Sequence, residues 1–580
     1  MKNLSANKPS AFFPTSLKEL NTLEWEYVDV ILVTGDAYID HPAFGAAVIG
    51  RTLEAEGLRV AIVPQPNWRD DLRDFKKMGA PRLFFGVTSG CMDSMVNHYT
   101  ANKRLRSDDA YTPNGKAGFR PDYAITVYSR ILKKLYPDTP VVLGGIEASL
   151  RRLTHYDYWS NTLKPSVLVD SCADILVYGM GEKPILEIAR RIRDGKPYRD
   201  VPQTAYLTTI ETENINNTTF LHAFEDCVKS KKKFAENFAI IEQEANKKQD
   251  VARLAERAGN HCVIVNPPYP AATEAELDAS FDLPYTRLPH PRYDGKHLPA
   301  YEMIKFSVNI HRGCFGGCSF CTIAAHQGKQ IVSRSEESVL REVEHLTHLP
   351  DFKGYLSDLG GPSANMYGMK GKDETLCNAC KRNTCIYPVV CKNLHTDHSR
   401  LLALYHAVDA HPKIKKSFIG SGLRYDLFLN EKGFLDPASA RYFSEVIAKH
   451  VSGRLKVAPE HTEPHVLQAM RKPSFKLFEQ LKSAFDRETQ RLGLRQQLVP
   501  YFISGHPACT EKDMQALAGK LQALRLQPEQ VQDFTPTPMT HASAVFYSGI
   551  DPANGKKIYV ARHAEEKIRQ KKWFFTRNYK

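Results

Sequence analysis

No uninterrupted apolar run in these 580 residues reaches the about 18 that a membrane helix needs, and mean hydropathy is −0.40. The first 25 residues hold no compact apolar stretch ahead of a small-residue cleavage site, so they do not read as a secretory leader. There is no internal repeat and no long low-complexity tract, and 34 glycines and 35 prolines are too few for a collagen-like or mucin-like chain. Cysteine is scarce, at 12 residues, and acids are outnumbered by bases, 65 to 78. These absences leave a soluble, cytoplasmic chain of two or more globular domains as the expectation. In a reducing compartment the few cysteines are not a disulfide framework, and clusters among them point to metal or redox chemistry.

What charge there is sits unevenly. Net charge is +13, and residues 551–580 hold nine Lys and Arg against Asp551, Glu565 and Glu566. Such an end, read here as a basic C-terminal helix, attracts nucleic acid or simply forms a solvated helix face.

The first half alternates short apolar runs with helical patterns. Val28–Thr34, Arg59–Val63, Arg82–Val87, Val141–Leu143 and Asp174–Gly179 read as strands, with helices around 44–56, 123–134 and 184–192. Continuous apolar strands between helices predict a Rossmann-like, doubly wound parallel sheet, with its crevice at Gly35, Gly144-Gly145 and Gly179-Met180-Gly181. A charge-rich helical stretch, 224–258, closes this domain, placed at 1–265. Seven prolines between Pro267 and Pro299 then mark a linker or belt at 266–300.

The second half restarts with Ile304, Phe306, Val308 and Ile310 alternating with polar residues. Further strands are expected at 354–359, 417–421, 454–459, 498–504 and 531–534, with helices between them. Ser333 with Glu336, and Thr510 with Asp513, are expected to cap two of those helices. Six strand-then-helix units predict a partial (β/α)6 barrel over 301–550, with a cysteine-rich insertion at 362–400.

Directly after the first of these strands stands HRGCFGGCSFC, in which Cys314, Cys318 and Cys321 form C-x3-C-x2-C. Gly313, Gly316 and Gly317 let the backbone turn tightly enough for three thiolates to face one centre. Three soft ligands suit an iron–sulfur cluster or zinc, and a missing fourth leaves one metal position open. Zinc closed by His311 or His326 is the alternative. Cys377, Cys380, Cys385 and Cys391 form a second group, C-x2-C-x4-C-x5-C, with His395 and His398 close behind. Tetrahedral thiolate there suits zinc or an auxiliary iron–sulfur cluster. Cys91, Cys172, Cys227, Cys262 and Cys509 read as small packed residues.

The C-x3-C-x2-C loop after a first barrel strand resembles the signature of the radical SAM superfamily. The resemblance implies a [4Fe–4S] cluster on Cys314, Cys318 and Cys321, with S-adenosylmethionine chelating the open iron. Reductive cleavage would then give a 5′-deoxyadenosyl radical that abstracts hydrogen from a substrate. It also implies that the backbone of Phe320 meets the adenine and that Gly360-Gly361 receives the methionine amino group, although Ser363 stands where an acid is usual. A one-electron donor such as flavodoxin or ferredoxin is implied as partner, and no membrane. GGIEAS (144–149), NPP (266–268), SGLRYDL (421–427), KVAPEH (456–461) and FTPTPMT (534–540) resemble the YgiQ family of radical SAM proteins along nearly the whole chain. The resemblance brings no substrate, and RNA and protein both stay open. The first domain resembles a cobalamin-binding domain, but Asp40, His41 and Gly45 miss the D-x-H-x-x-G spacing by a residue on each side, so cobalamin is not expected. The competing class is a non-catalytic, metal-stabilised nucleic-acid-binding protein.

Overall fold

The computed structural model describes residues 11–209, 217–529 and 531–575. The first ten residues, where no secretory leader is expected, and Arg577 and Lys580 of the basic end lie outside the described residues. Contacts divide the chain into two compact units. The first takes the chain up to Ser230 together with Val251–Pro270 and Ala279–Lys305; the second takes Lys231–Asp250, Ala271–Asp278 and everything from Phe306 on. The proline-rich stretch is therefore shared between the units. Among the described residues no helix is long and apolar enough to cross a membrane.

The first unit is built on a nine-stranded sheet. Strands β1 (Val30–Thr34), β2 (Val60–Pro64), β3 (Phe84–Thr88), β4 (Val141–Leu143) and β5 (Ile175–Val177) lie in the order β2-β1-β3-β4-β5, each parallel to its neighbour. Nearly every residue of these five is buried, which is why they read as unbroken Val/Ile/Leu/Phe runs. Helices α1 (Gly45–Ala55), α2 (Ala124–Leu135) and α3 (Glu182–Arg193) follow β1, β3 and β5. The sheet then becomes mixed, as β6 (Thr204–Thr209), β9 (His261–Val265), β8 (Arg253–Ala258) and β7 (Thr218–Phe220) extend it beyond β5. The β5–β6, β6–β9 and β8–β9 pairs are antiparallel, so a purely parallel sheet was too simple an expectation. These later strands carry more polar residues than β1 to β5 and are exposed in places, as in TAYLTT and RLAERA.

At the carboxyl ends of β1 and β3 the expected crevice is filled by the chain itself. Arg120 is fully buried, bridging Asp36 at 3.0 Å and Asp109 at 3.1 Å and donating to the Ser89 carbonyl at 2.8 Å. Asp40 is likewise spent, held by Arg51 and by the Thr286 amide at 2.8 Å. It therefore does not orient His41, whose Nδ1 instead accepts from the Ala43 amide.

In the second unit, beside two short antiparallel ladders, a series of strands follows in chain order and pairs in parallel. They are β10 (Ser307–Asn309), β11 (Tyr355–Leu356), β12 (Asp358–Gly360), β13 (Lys416–Ser417), β14 (Arg454–Glu460), β15 (Gln497–Ser504) and β16 (Val531–Asp533). β10 pairs with β12, β11 with β13, and β14-β15-β16 form a third ladder. The Leu359 amide donates to the Phe418 carbonyl at 2.8 Å, tying β12 to the end of β13, and the Ile419 amide donates at 2.9 Å to the carbonyl of His450, which ends a helical turn ahead of β14.

Two local expectations are corrected. Ile304 is not in the first strand: Pro299 at the first helical position starts a short helix, Pro299–Ile304, and the strand begins at Ser307. Ser333 is not a helix cap, because it pairs with His311 in a two-residue ladder and its hydroxyl accepts from the Gly368 amide. Ser335 caps the helix Glu336–Leu346 instead. The Thr510–Asp513 capping box forms as read, opening the helix Glu511–Ala523.

Candidate metal and cofactor site

The three cysteines lie on a loop that starts where β10 ends. The antiparallel pairing of His311 with Ser333 and Arg312 with Val332 pinches its base, and the Cys314 amide donates to the Gly328 carbonyl at 3.1 Å. At Gly316 a side chain would come 2.9 Å from the Arg424 guanidinium and 3.2 Å from the Cys314 sulfur. Gly317 has φ +62° and its missing Cβ would meet Thr384 at 2.7 Å. The sequence therefore needs glycine at both positions, for close approach and for a left-handed turn.

Two of the partly buried sulfurs accept hydrogen bonds. The Gly316 amide donates to Cys314 Sγ at 3.4 Å, and Arg424 Nη1 to Cys318 Sγ at 3.5 Å. Arg424 is itself fixed by Asp426 at 2.6 and 3.0 Å. Burial pushes the Cys321 thiol up to about 12, with the charges of Cys318 and Cys314 adding to it, and burial raises Cys314 despite Arg424. As they stand, no three His, Cys, Asp or Glu side chains among the described residues are gathered into metal-ligand geometry. The three thiols share a loop and feel one another's charge without forming a closed ligand set.

Gly360 and Gly361 end β12, beside the loop. His311 is packed so closely against Gly361 that a Cβ there would sit 2.5 Å from the imidazole. Around this turn four buried polar atoms have no hydrogen-bond partner: Asn309 Oδ1, both ring nitrogens of His311, and Ser363 Oγ. Buried polar atoms are normally paired, so such a group fits a polar ligand at the ends of the first two strands. Asp358 does not replace the acid missing at Ser363, because it accepts from Ser421 Oγ at 2.5 Å and from the Gly420 amide at 2.9 Å.

Other residues singled out by sequence are packing elements. The Phe320 ring meets His506 edge-on at 5.9 Å, and His506 reaches Ser319 Oγ at 3.2 Å. Burial holds His506 down at about 3, so it is a neutral support for the loop. His461 and Cys509 touch at 3.5 Å, but burial drives the imidazole down to about 3 and the thiol up to about 12. Neither member of that pair is a nucleophile or a base near neutral pH. Cys172 is not a packed residue: it is exposed at φ +60°, ending a short helix.

The second cysteine group is seated on the first loop. Thr384 Oγ1 donates to the Phe315 and Gly316 carbonyls, both at 2.9 Å, and the Cys385 amide donates to Phe315 at 3.2 Å. Cys314, Cys385 and Cys391 all edge one apolar cluster of Phe315, Met366, Met369, Ile386, Leu394 and Leu427. His398 is elsewhere, buried in a stack with Tyr442 at 4.0 Å and held down to about 4 by burial. Sequence reasoning missed Arg424 and Thr384 as anchors of the loop. Arg424 was inside a recognised motif, SGLRYDL, but nothing local says that its guanidinium crosses to Cys318.

The basic end is helical only over Ala564–Phe575, residues 551–563 being non-helical, and several of the helix's charges pair within the second unit. Lys571 meets Asp533 at 2.8 Å, Lys572 meets Glu511 at 2.6 Å, and Gln570 is buried, bonding the Gly505 amide and the Cys509 carbonyl.

A cysteine loop closing the first of a series of parallel strands, after an α/β domain, defines a class, and comparison agrees with it: residues 12–307, just over half the chain, match the family described as Radical SAM N-terminal. The chain belongs to the UPF0313 family of radical SAM proteins. It is 59% identical to the UPF0313 protein of Bacteroides thetaiotaomicron, over 97% of this chain and 94% of the relative. Identity to the Porphyromonas gingivalis protein is 57% (97% and 90% covered), and to that of Geobacter sulfurreducens 46% (97% and 91% covered). Among solved structures, the radical S-adenosylmethionine methyltransferase TsrM from Kitasatospora setae, with cobalamin and a [4Fe–4S] cluster bound, aligns with 88% of this chain and 73% of its own. Identity is 16% and the TM-score 0.49. The cobalamin-dependent S-adenosylmethionine radical enzyme OxsB, with aqua-cobalamin bound, aligns with 93% of this chain and 57% of its own at 12% identity and a TM-score of 0.47. Both contain cobalamin, so the expectation against it draws no support from them.

Proposed function

We propose that this chain is a radical SAM enzyme in which Cys314, Cys318 and Cys321 hold a [4Fe–4S] cluster and the Gly360-Gly361 turn receives S-adenosylmethionine. When bound, that pair supplies one-electron cleavage of the sulfonium to a 5′-deoxyadenosyl radical. The observation that carries the reading is the joint one of three thiols on the loop after β10 and four orphaned polar atoms, from Asn309, His311 and Ser363, beside it. The donor set fits: three thiols leave one metal position for a ligand, and the orphaned atoms offer acceptors and a donor to its polar groups.

The chain's own residues then have separable tasks. The thiols give up their protons to bind metal, and Arg424, locked by Asp426, would place its positive charge beside the metal-bound sulfur of Cys318. The Gly316 amide donates to the sulfur of Cys314. Phe315, Met366 and Leu427 shield the loop from water, which keeps those donors effective. Buried Glu460, raised by burial, ends β14 and bears on Cys321; Lys472 lies 3.7 Å from it. A flavodoxin- or ferredoxin-like protein would deliver the electron, and the substrate, RNA or protein among the candidates, is open. No specific observation favours a nucleic-acid-binding protein without catalysis, since Lys571 and Lys572 are paired internally.

Anaerobic reconstitution with iron and sulfide, followed by dithionite and S-adenosylmethionine, is expected to yield 5′-deoxyadenosine, and Cys318→Ala to abolish it. Product formation that survives Cys318→Ala, or its absence from a chain with an intact cluster, overturns the proposal.

A further inference from the structure

The function above leaves Cys377, Cys380, Cys385 and Cys391 without a task. They lie in the insertion between β12 and β13, where the only regular structure around them is a five-residue helix, Glu374–Asn378, and one bridge, Gly371–Leu394. A segment of this length with so little structure of its own needs something else to hold it. We propose that these four cysteines bind one zinc ion, which rivets the insertion onto the loop of the first cysteine group.

The four thiols come as two pairs, each closed by a backbone hydrogen bond between its own members. The Cys380 amide donates to the Cys377 carbonyl at 3.2 Å, and the Cys391 amide to the Cys385 carbonyl at 2.7 Å. Two such arms are the two-plus-two that a tetrahedral ion takes, and four thiolates suit zinc. Donors already point at two of the sulfurs: Asn393 Nδ2 at Cys377 (3.2 Å) and the Arg382 amide at Cys380 (3.5 Å). Hydrogen bonds of this kind stabilise metal-bound thiolate charge. Residues 370–392 also carry Lys370, Lys372, Lys381, Arg382 and Lys392 against Asp373 and Glu374, an excess that offsets the negative charge of a zinc tetrathiolate.

The sulfurs stand short of ligand geometry, so binding must draw them together. An insertion with no sheet and no long helix can follow that movement without breaking either. Four thiols release four protons to solvent as the ion enters. Thr384, between the two arms, and Cys385, a ligand of the second arm, are the residues that grip Phe315 and Gly316, so the ion would set the shape of the neighbouring loop.

The proposal does not depend on what fills the first loop, and its test removes that loop's ligands. In the full chain carrying Cys314→Ala, Cys318→Ala and Cys321→Ala, elemental analysis is expected to find about one zinc per chain. Adding Cys380→Ser and Cys385→Ser should lower it at least tenfold, roughly the loss expected for missing ligands. Should the multiple variants not fold, a mercurial thiol reagent titrated into the unaltered chain with a zinc indicator gives a second reading, expected at about one zinc released. No zinc in either experiment, zinc unmoved by Cys380→Ser and Cys385→Ser, or iron and sulfide at this group in its place overturns the proposal.

Discussion

At the residue scale, the informative side chains are charges carried where water has little access. Lys329 follows the loop of the first cysteine group and donates to Asn246 Oδ1. Burial lowers its ammonium to about 8, Arg471 contributing, while Glu242 and Cys385 oppose the shift. In the unfolded chain the same group titrates near 10.5. Between about 8 and 10.5 the unfolded chain therefore binds more protons, and stability rises with pH; below about 8 the penalty is present in full. Lys329→Met removes the buried charge at the cost of one hydrogen bond, about 1 kcal/mol. At pH 7 the variant is expected to be more stable by about 1–2 kcal/mol, the remainder of a shift worth about 3 kcal/mol at most. The difference should shrink as pH approaches 10. Chemical denaturation of both proteins across that range checks it, and a gap constant with pH would contradict it.

At the scale of elements, burial on both faces made the parallel strands legible, and so did glycine spacing at the cysteine loop. β1 to β5 fall inside or within a residue of the apolar runs that announce them, because a strand covered on both sides has no polar residue to blur it. The first strand of the second unit was misplaced, because four apolar residues at alternate positions look the same whether or not the first lies in a helix turn begun by Pro299. The helix Lys231–Asn246 shows what patterning cannot tell. Its charged stretch reads as a solvated face, yet Glu242 is mostly buried against Arg471, at 2.6 Å, and His541. Partners more than two hundred residues away leave no local trace. Burial opposes the Glu242 charge, but hydrogen bonds from His541 and Arg471 outweigh it and hold the carboxyl far below its usual value. Glu242→Gln leaves Arg471 and Lys329 as buried cations without their acid and is expected to cost about 3 kcal/mol, as for one partner lost from a buried pair. Urea unfolding measures it; a loss under about 0.5 kcal/mol would show the pair to be a surface-type contact.

For the whole molecule, part of the charge that first suggested nucleic acid is tied into the fold. Of the cationic end, Arg569, Lys571 and Lys572 pair with Glu511 and Asp533, which belong to the neighbouring helix and strand. Gln570, 1% exposed, bonds the turn at Gly505 and Cys509, where β15 ends near the loop that carries Phe320. A solvated tail and a packed last helix have the same composition, so only the fold separates them. They differ in what truncation does. Ending the chain at residue 563 removes those ion pairs and leaves the Gly505 amide and Cys509 carbonyl without partners, at about 1–3 kcal/mol for each buried group. In a unit of this size that lowers Tm by about 5 °C or more. A dispensable nucleic-acid tail would instead leave Tm unchanged and weaken RNA retention with a steep salt dependence. Differential scanning calorimetry and RNA binding at two salt concentrations, run on the same truncated chain, separate the outcomes. The packed helix requires that the first measurement move and the second stay still.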